Sequence, residues 1–279
     1  ESSVPHFLTM TATPIPRTLA LAFFGNLDIS ILNEMPKNRK PIITKVARTE
    51  EARATIYAFI RQEIRKGRQA FIIFPLVETS LALKDVKAAV AERERLENEI
   101  FPDLRIGLLH GKQKAEEKER VMKAFKERDY DILVATSVVE VGIDVPNATI
   151  ILIEEAERFG LSQLHQFRGR VGRGEHQSSC FLIPGDHAVA ENQRLEALEK
   201  SQSGFDIADA DLALRGPGSF FGTRQSGLPD IAMENLTNMK LISLARAEAE
   251  ALLENDPKLA QHPLIRAALT RFTDQVHME

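Results

Sequence analysis

Tryptophan is absent from the 279 residues, tyrosine occurs twice and cysteine once. A nucleic-acid surface that stacks bases on successive aromatic rings therefore has little to work with. The phenylalanines fall mostly inside apolar runs and read as core. The lone thiol, Cys180, lies in Ser179-Cys180-Phe181-Leu182-Ile183, where a buried core residue in a reducing compartment is expected. No apolar run has the length of a membrane span, and the first residues carry no signal-peptide pattern, so a soluble, cytoplasmic protein is expected. An excess of positive charge is missing too: the formal net charge is −4. Any nucleic-acid contact must come from local basic or backbone-amide sites rather than from a global field.

Common catalytic patterns are equally scarce. A phosphate-cradling loop needs glycines followed by Lys and Ser or Thr, but the Gly-Lys pair here, Gly111-Lys112, runs into Gln113. The acidic cluster Glu154-Glu155-Ala156-Glu157 comes late, with no such loop before it. His and Cys never take metal-ligand spacing, no Gly-x-Ser-x-Gly elbow occurs, and no metal site of its own is expected. The chain thus carries half an active site at most.

What is present is regular alternation. From about residue 42, apolar segments at 42–47, 69–76, 105–110, 131–136, 149–156 and 178–184 read as strands. Between them, 50–65, 81–100, 114–126 and 162–168 read as helices with a polar face. This order predicts an α/β fold, a mostly parallel sheet covered on both sides, with ligands at the carboxyl ends of the strands. Before it, 7–10 reads as a buried strand, followed by a proline-fixed turn and a short helix to Phe24. After it, 188–200, 236–255 and 263–273 read as helices, with a Gly-rich segment at 203–227 between them for which a plain surface loop is the competing reading. No internal repeat is visible.

The segment Gln166-Phe167-Arg168-Gly169-Arg170-Val171-Gly172-Arg173 stands out. Arg170 and Arg173 are one helical turn apart, so both guanidiniums can leave one face and converge on a polyanion. A solvated basic helix end would leave the glycine spacing without a use. Upstream, Thr136 and Ser137 end a strand and Gly142 and Asp144 follow, a setting suited to a backbone phosphate. Asp144 can accept from a ribose hydroxyl or from a positioning arginine; an ordinary turn is the competing reading. His110-Gly111 closes another strand before a helix whose first amides could face a phosphate, with a plain strand-to-helix turn as the alternative.

These residues resemble the later motifs of superfamily 2 helicases: TATP at 11–14, His110-Gly111, ATSVVEVGIDVPNA at 135–148 and QFRGRVGR at 166–173, in the expected order. Within the superfamily, AERFGLSQLHQFRGRVGRG at 156–174 and DLALRGPGSFFGTRQSG at 211–227 resemble the RecG family of fork-remodelling helicases. The transcription-repair coupling factors share the Gly-rich segment, and a non-catalytic DNA-binding module is a third reading. The resemblance implies a RecA-like second motor lobe at 39–186, the tail of the first lobe at 1–38 and a helical translocation segment at 187–279. It implies ATP with Mg, the metal being held on a first lobe that this chain lacks, and branched or forked DNA as partner. A first lobe and a wedge domain of the same protein, acting as a monomer, complete the implied assembly. Gln166, Arg170 and Arg173 would approach the γ-phosphate and Asp144 the ribose, with Gly142 beside it. Thr136, Ser137, His110 and Gly111 would meet the DNA backbone, while Thr11, Thr13, Arg194, Arg215 and Gln225 would couple lobe closure to translocation.

Overall fold

In the computed structural model, the described residues are 7–11, 30–32, 34, 39–75, 82–136, 144–185, 192–215 and 238–275. Six strands form the sheet among them: β1 (Ile43–Val46), β2 (Gln69–Ile73), β3 (Ile106–Leu109), β4 (Ile132–Ala135), β5 (Ala148–Glu154) and β6 (Ser179–Ile183). Their order is β1-β6-β5-β2-β4-β3, and every pairing is parallel. Parallel neighbours need connections across a face, and four of the five are made by α1 (Glu50–Arg65), α2 (Ala82–Arg95), α3 (Ala115–Lys126) and α4 (Leu161–Arg168). A single π-helical turn, Leu96–Ile100, prolongs α2. Further helices are α5 (Asn192–Lys200), α6 (Gly204–Arg215), α7 (Met239–Asn255) and α8 (Pro263–Gln275).

Alternation along the strands sends side chains to two faces. Phe71, Ile73, Leu133, Ile151 and Leu182 pack with Phe125, Leu164, Phe167, Val171, Leu195 and Leu198 on one side. Ala70, Ile72, Val134, Leu152 and Phe181 pack with Ile56, Ile60, Ile64, Leu96 and Phe101 on the other. Burial on both faces explains why β2, β4, β5 and β6 read as unbroken apolar runs. Helix α1 shows the local logic. The Thr49 side chain accepts from the Ala52 N–H, Glu50 and Glu51 occupy the first turn and Arg65 the last. Its stripe Ile56, Ile60 and Ile64 enters the core, each contributing about 1.5–3 kcal/mol.

Two polar residues lock the sheet ends. Buried Gln69 donates to the carbonyls of Phe125 and Tyr130 (2.6 and 2.8 Å) and accepts from the Asn147 amide at the start of β5 (3.0 Å). Buried Glu154, at the end of β5, accepts from Arg53 (2.8 Å) and the Tyr57 hydroxyl (3.0 Å) on α1. Burial pushes the Glu154 carboxyl above its usual range even with Arg53 beside it.

The molecule divides into two compact units, Glu34–Ile207 and Glu1–Asn33 with Ala208–Glu279. Two expectations need correction. The stretch 7–10 is not a buried strand: Phe7, Leu8 and Met10 are exposed, and no described strand pairs with them, so their apolar side chains are uncovered. Nor does the competing loop reading of the Gly-rich segment hold at its start, because 204–215 forms α6. Ser203 accepts from the Asp206 N–H (3.4 Å), a cap that offsets the glycine behind it.

Candidate functional site

Helix α4 ends at Arg168 with Gly169 as its cap, so Arg170 and Arg173 do not share a helix face as expected. The Arg170 N–H reaches the Phe167 carbonyl (2.9 Å), tightening one last turn. Gly172 then adopts φ +76°, reversing the chain. This conformation suits glycine, and a Cβ there would also lie 3.0 Å from Ile42 Cγ1. Arg173 consequently folds back. Its Nε donates to the Gly169 carbonyl (3.2 Å), satisfying a helix-end acceptor, and its Nη1 sits 3.5 Å from Asp144 Oδ1. Of the two uses foreseen for Asp144, the structure shows the partner of an arginine.

This loop does not lie at the carboxyl ends of the strands. Gly172 sits on Ile42 before β1, Gly174 abuts the Pro146 carbonyl before β5, and the loop runs into β6. Arg39 spans the same place, donating from Nε to Gly172 O (3.0 Å) and from Nη2 to Val171 O (3.5 Å). Arginine loop and Asp144 thus occupy the amino edge of the sheet. The strand-end expectation fails for them because the chain recrosses the sheet through α4 before reaching Arg170. Gln166, on α4, is half-buried.

His110 and Thr136 do lie at the carboxyl edge, and adjacent strands bring them together. Leu109 pairs with Ala135, and the Thr136 N–H donates to Leu109 O (3.2 Å). The turn after β3 is tied by Gln113, whose Oε1 accepts from the His110 N–H (2.9 Å) and whose Nε2 donates to Leu108 O (3.2 Å). Lys118 Nζ donates to Gly111 O (2.7 Å). Lys114 opens α3 without a side-chain cap, which leaves its first-turn amides to other acceptors. Thr136 is buried, and its Oγ1 has no hydrogen-bond partner among the described residues; the same holds for His110 Nδ1. Burial pulls the His110 imidazole below its ordinary value, with Lys118 and Lys112 opposing Glu117.

Arg168 belongs to the arginine motif in sequence but to the core in the structure. It is buried, and it donates to Leu198 O (2.9 Å), Ser201 O (2.7 Å) and Gln202 O (3.2 Å) at the end of α5, and to His165 Nδ1 (3.0 Å). Burial, then Arg168 and Arg39, hold His165 down to about 4, so its neutral ring accepts from Arg168. An arginine inside an apolar periodic stretch was the available signal. Arg194 on α5 donates to Phe159 O before α4 (3.2 Å). Thr11 is exposed. Ser137, Gly142, Thr13 and Gln225 lie outside the described residues, as does the side chain of Arg215. Among the described residues, no three His, Cys, Asp or Glu are grouped to hold a metal ion.

The parallel sheet thus carries the arginine loop at its amino edge and, at its carboxyl edge, the buried Thr136 hydroxyl, unpartnered among the described residues. Residues 51–175 match the family described as helicase conserved C-terminal domain. Residues 201–271 match the C-terminal part of domain 3 of ATP-dependent DNA helicase RecG. The chain is 52% identical over 272 residues to the ATP-dependent DNA helicase RecG of Synechocystis sp., covering 97% of this chain and 32% of that protein. It is 48% identical over 246 residues to the RecG of Thermotoga maritima, covering 88% of this chain and 31% of the relative. A solved structure of RecG bound to a three-way DNA junction is similar at 46% identity and a TM-score of 0.65, over 83% of this chain and 30% of that one. The chain belongs to the RecG family and spans about a third of the length of these relatives.

Proposed function

We propose that this chain is the part of an ATP-dependent DNA helicase acting on branched DNA that brings arginines to ATP and grips the DNA backbone. The observation that carries the reading is the arginine loop at the amino edge, folded by Gly172 so that Arg173 is presented on an exposed partner, Asp144. The pair is 34% and 62% exposed, so it is worth about 1 kcal/mol or less and yields readily to a polyphosphate. The donor set fits the γ-phosphate end of a nucleotide. It does not fit the metal, so the phosphate loop and Mg²⁺ site belong to another part of the full-length protein. Bound ATP with Mg²⁺ supplies the phosphoryl group and part of the charge neutralisation. Arg173 and Arg170, delivered across an interface, stabilise charge on the transferring phosphoryl, an effect of about 10³–10⁵ in rate. Gln166 orients the attacking water, and Asp144, with Gly142 beside it, lies near the ribose.

At the other edge Thr136, Ser137, His110 and Gly111 meet DNA phosphates, and the Thr136 hydroxyl has no partner among the described residues. In this reading 1–38 is the tail of a first lobe, 39–186 the second lobe and 187–279 the translocation segment. Thr11, Thr13, Arg194, Arg215 and Gln225 then couple closure to movement. The match of 201–271 to a RecG domain favours this over a transcription-repair coupling factor.

The test uses the full-length protein and forked DNA. Arg173→Ala is expected to lower DNA-stimulated ATP hydrolysis by about 10³ or more while fork affinity stays within about twofold. The chain by itself should not hydrolyse ATP. Turnover by the isolated chain, or an Arg173→Ala protein as fast as its parent, overturns the proposal.

A further inference from the structure

The segment 39–42, just before β1, does more than lead into a strand. Arg39 donates through two nitrogens to the carbonyls of Val171 and Gly172, the two residues before Arg173. Gln177, on the far side of the same loop, donates to the Pro41 carbonyl (2.7 Å). Ile42 is buried directly beneath Gly172. The Ile42 carbonyl in turn accepts from Gln202 (2.9 Å), and the Gln202 carbonyl accepts from Arg168 at the base of the loop. Three stretches far apart in sequence, 39–42, 168–177 and 198–202, therefore close into one hydrogen-bonded ring around the turn that aims Arg173.

We infer that Arg39 is a positioning residue for Arg173. It holds the Val171 and Gly172 carbonyls, and so fixes the left-handed turn from which the Arg173 guanidinium projects. The inference rests on the reading of Arg173 as the residue that meets ATP. Two features of the geometry favour Arg39 as a grip rather than a surface cation. Its donors diverge to two successive carbonyls, a task for a planar fork rather than a point charge. It is half-buried, and each acceptor is a backbone atom of the loop itself rather than a mobile carboxylate. A loop fixed this way meets the phosphoryl group without reordering, and small misplacements at such a site are costly.

The experiment measures kcat and KM for ATP with saturating forked DNA in the full-length protein, for Arg39→Ala, Arg39→Lys, Arg173→Ala and the Arg39/Arg173 double variant. Arg39→Ala is expected to lower kcat by about 10- to 100-fold with KM for ATP within about threefold, because the affected contact forms in the transition state. Arg39→Lys, which reaches one carbonyl only, should fall between parent and Arg39→Ala. The double variant should be no slower than Arg173→Ala. Parental kcat in Arg39→Ala beside an inactive Arg173→Ala overturns the positioning role and leaves the function intact. Multiplicative losses in the double variant also overturn it. Parental activity in Arg173→Ala means instead that the underlying reading has failed. Should Arg39→Ala melt at a lower temperature, kcat per folded molecule in Arg39→Lys decides the question, and a parental value there overturns the proposal.

Discussion

At His165 a neutral ring is wedged beside Arg168, with Arg39 near enough to be felt, and burial first, then these two cations, bring it down to about 4. An unfolded chain takes up that proton near 6.5. Above this value both states are neutral and the residue contributes nothing to pH dependence. As the pH falls from 6.5 towards 4, the unfolded state binds a proton that the folded state refuses, and stability drops. Between pH 7 and pH 5 the loss is about 2 kcal/mol from this residue. Denaturant melts of the chain and of His165→Gln, whose amide oxygen can still accept from Arg168, should diverge by roughly that amount at pH 5. Parallel curves in the two proteins reject the assignment. Gly172 makes a second residue-scale case. An alanine there must hold φ near +76° with its Cβ 3.0 Å from Ile42, so Gly172→Ala should cost about 1–3 kcal/mol in the same assay. The sequence marked 172 as a place where a side chain is unwelcome. It could not say that the reason is a reversal over Ile42, a residue 130 positions earlier.

Elements were legible where one local rule governed them. Thr49, two glutamates and an isoleucine stripe announce α1, and buried apolar runs announce the strands. Helix α6 is hidden in the sequence because the glycines of 203–227 outweigh the Ser203…Asp206 spacing that caps it. The three-residue spacing of Arg170 and Arg173 fits a helix, but the glycines decide the backbone there. What no local rule contains is the tie between elements, and α1 with β5 shows its size. Glu154 is buried, its side chain 5% exposed, and Arg53 and Tyr57 of α1 neutralise and hydrogen-bond it. Arg53→Met keeps the bulk of the side chain but strands the carboxylate. It should destabilise the lobe by about 3–5 kcal/mol, the penalty of an unpaired buried charge. Adding Glu154→Gln should recover much of the loss, since an amide carries no charge to strand. Thermal melts of both proteins measure this, and equal melting temperatures for the parent and Arg53→Met would show the pair to be idle.

Across the whole lobe, the buried sheet separates two edges, each holding one of the proposed sites. Arg173 and Asp144 sit where β1, β5 and β6 begin, while His110 and Thr136 sit where β3 and β4 end. The seven residues of β5 span about 20 Å, and both faces of the sheet are packed, which opposes movement of one edge against the other. On the proposed function, such a lobe would convert closure on a nucleotide at one edge into displacement of a backbone grip at the other, without internal change. Defects at the two edges should therefore be separable. Thr136→Val is the sharpest probe, because its buried Oγ1 has no partner in the described fold. Removing that hydroxyl should leave stability unchanged or raise it, since an unsatisfied polar atom is lost. In the full-length protein the same change should weaken fork binding by about 10-fold, the loss of one phosphate hydrogen bond, and sparing of ATP hydrolysis without DNA is expected. Arg173→Ala should do the reverse. Sites so far apart with no shared partner should give additive losses when combined. Fluorescence anisotropy on forked DNA and ATPase assays on the two single variants and the double variant measure both arms. If Thr136→Val slowed DNA-free hydrolysis as much as Arg173→Ala, the two edges would be acting as one site and the rigid-lobe mechanism would fail.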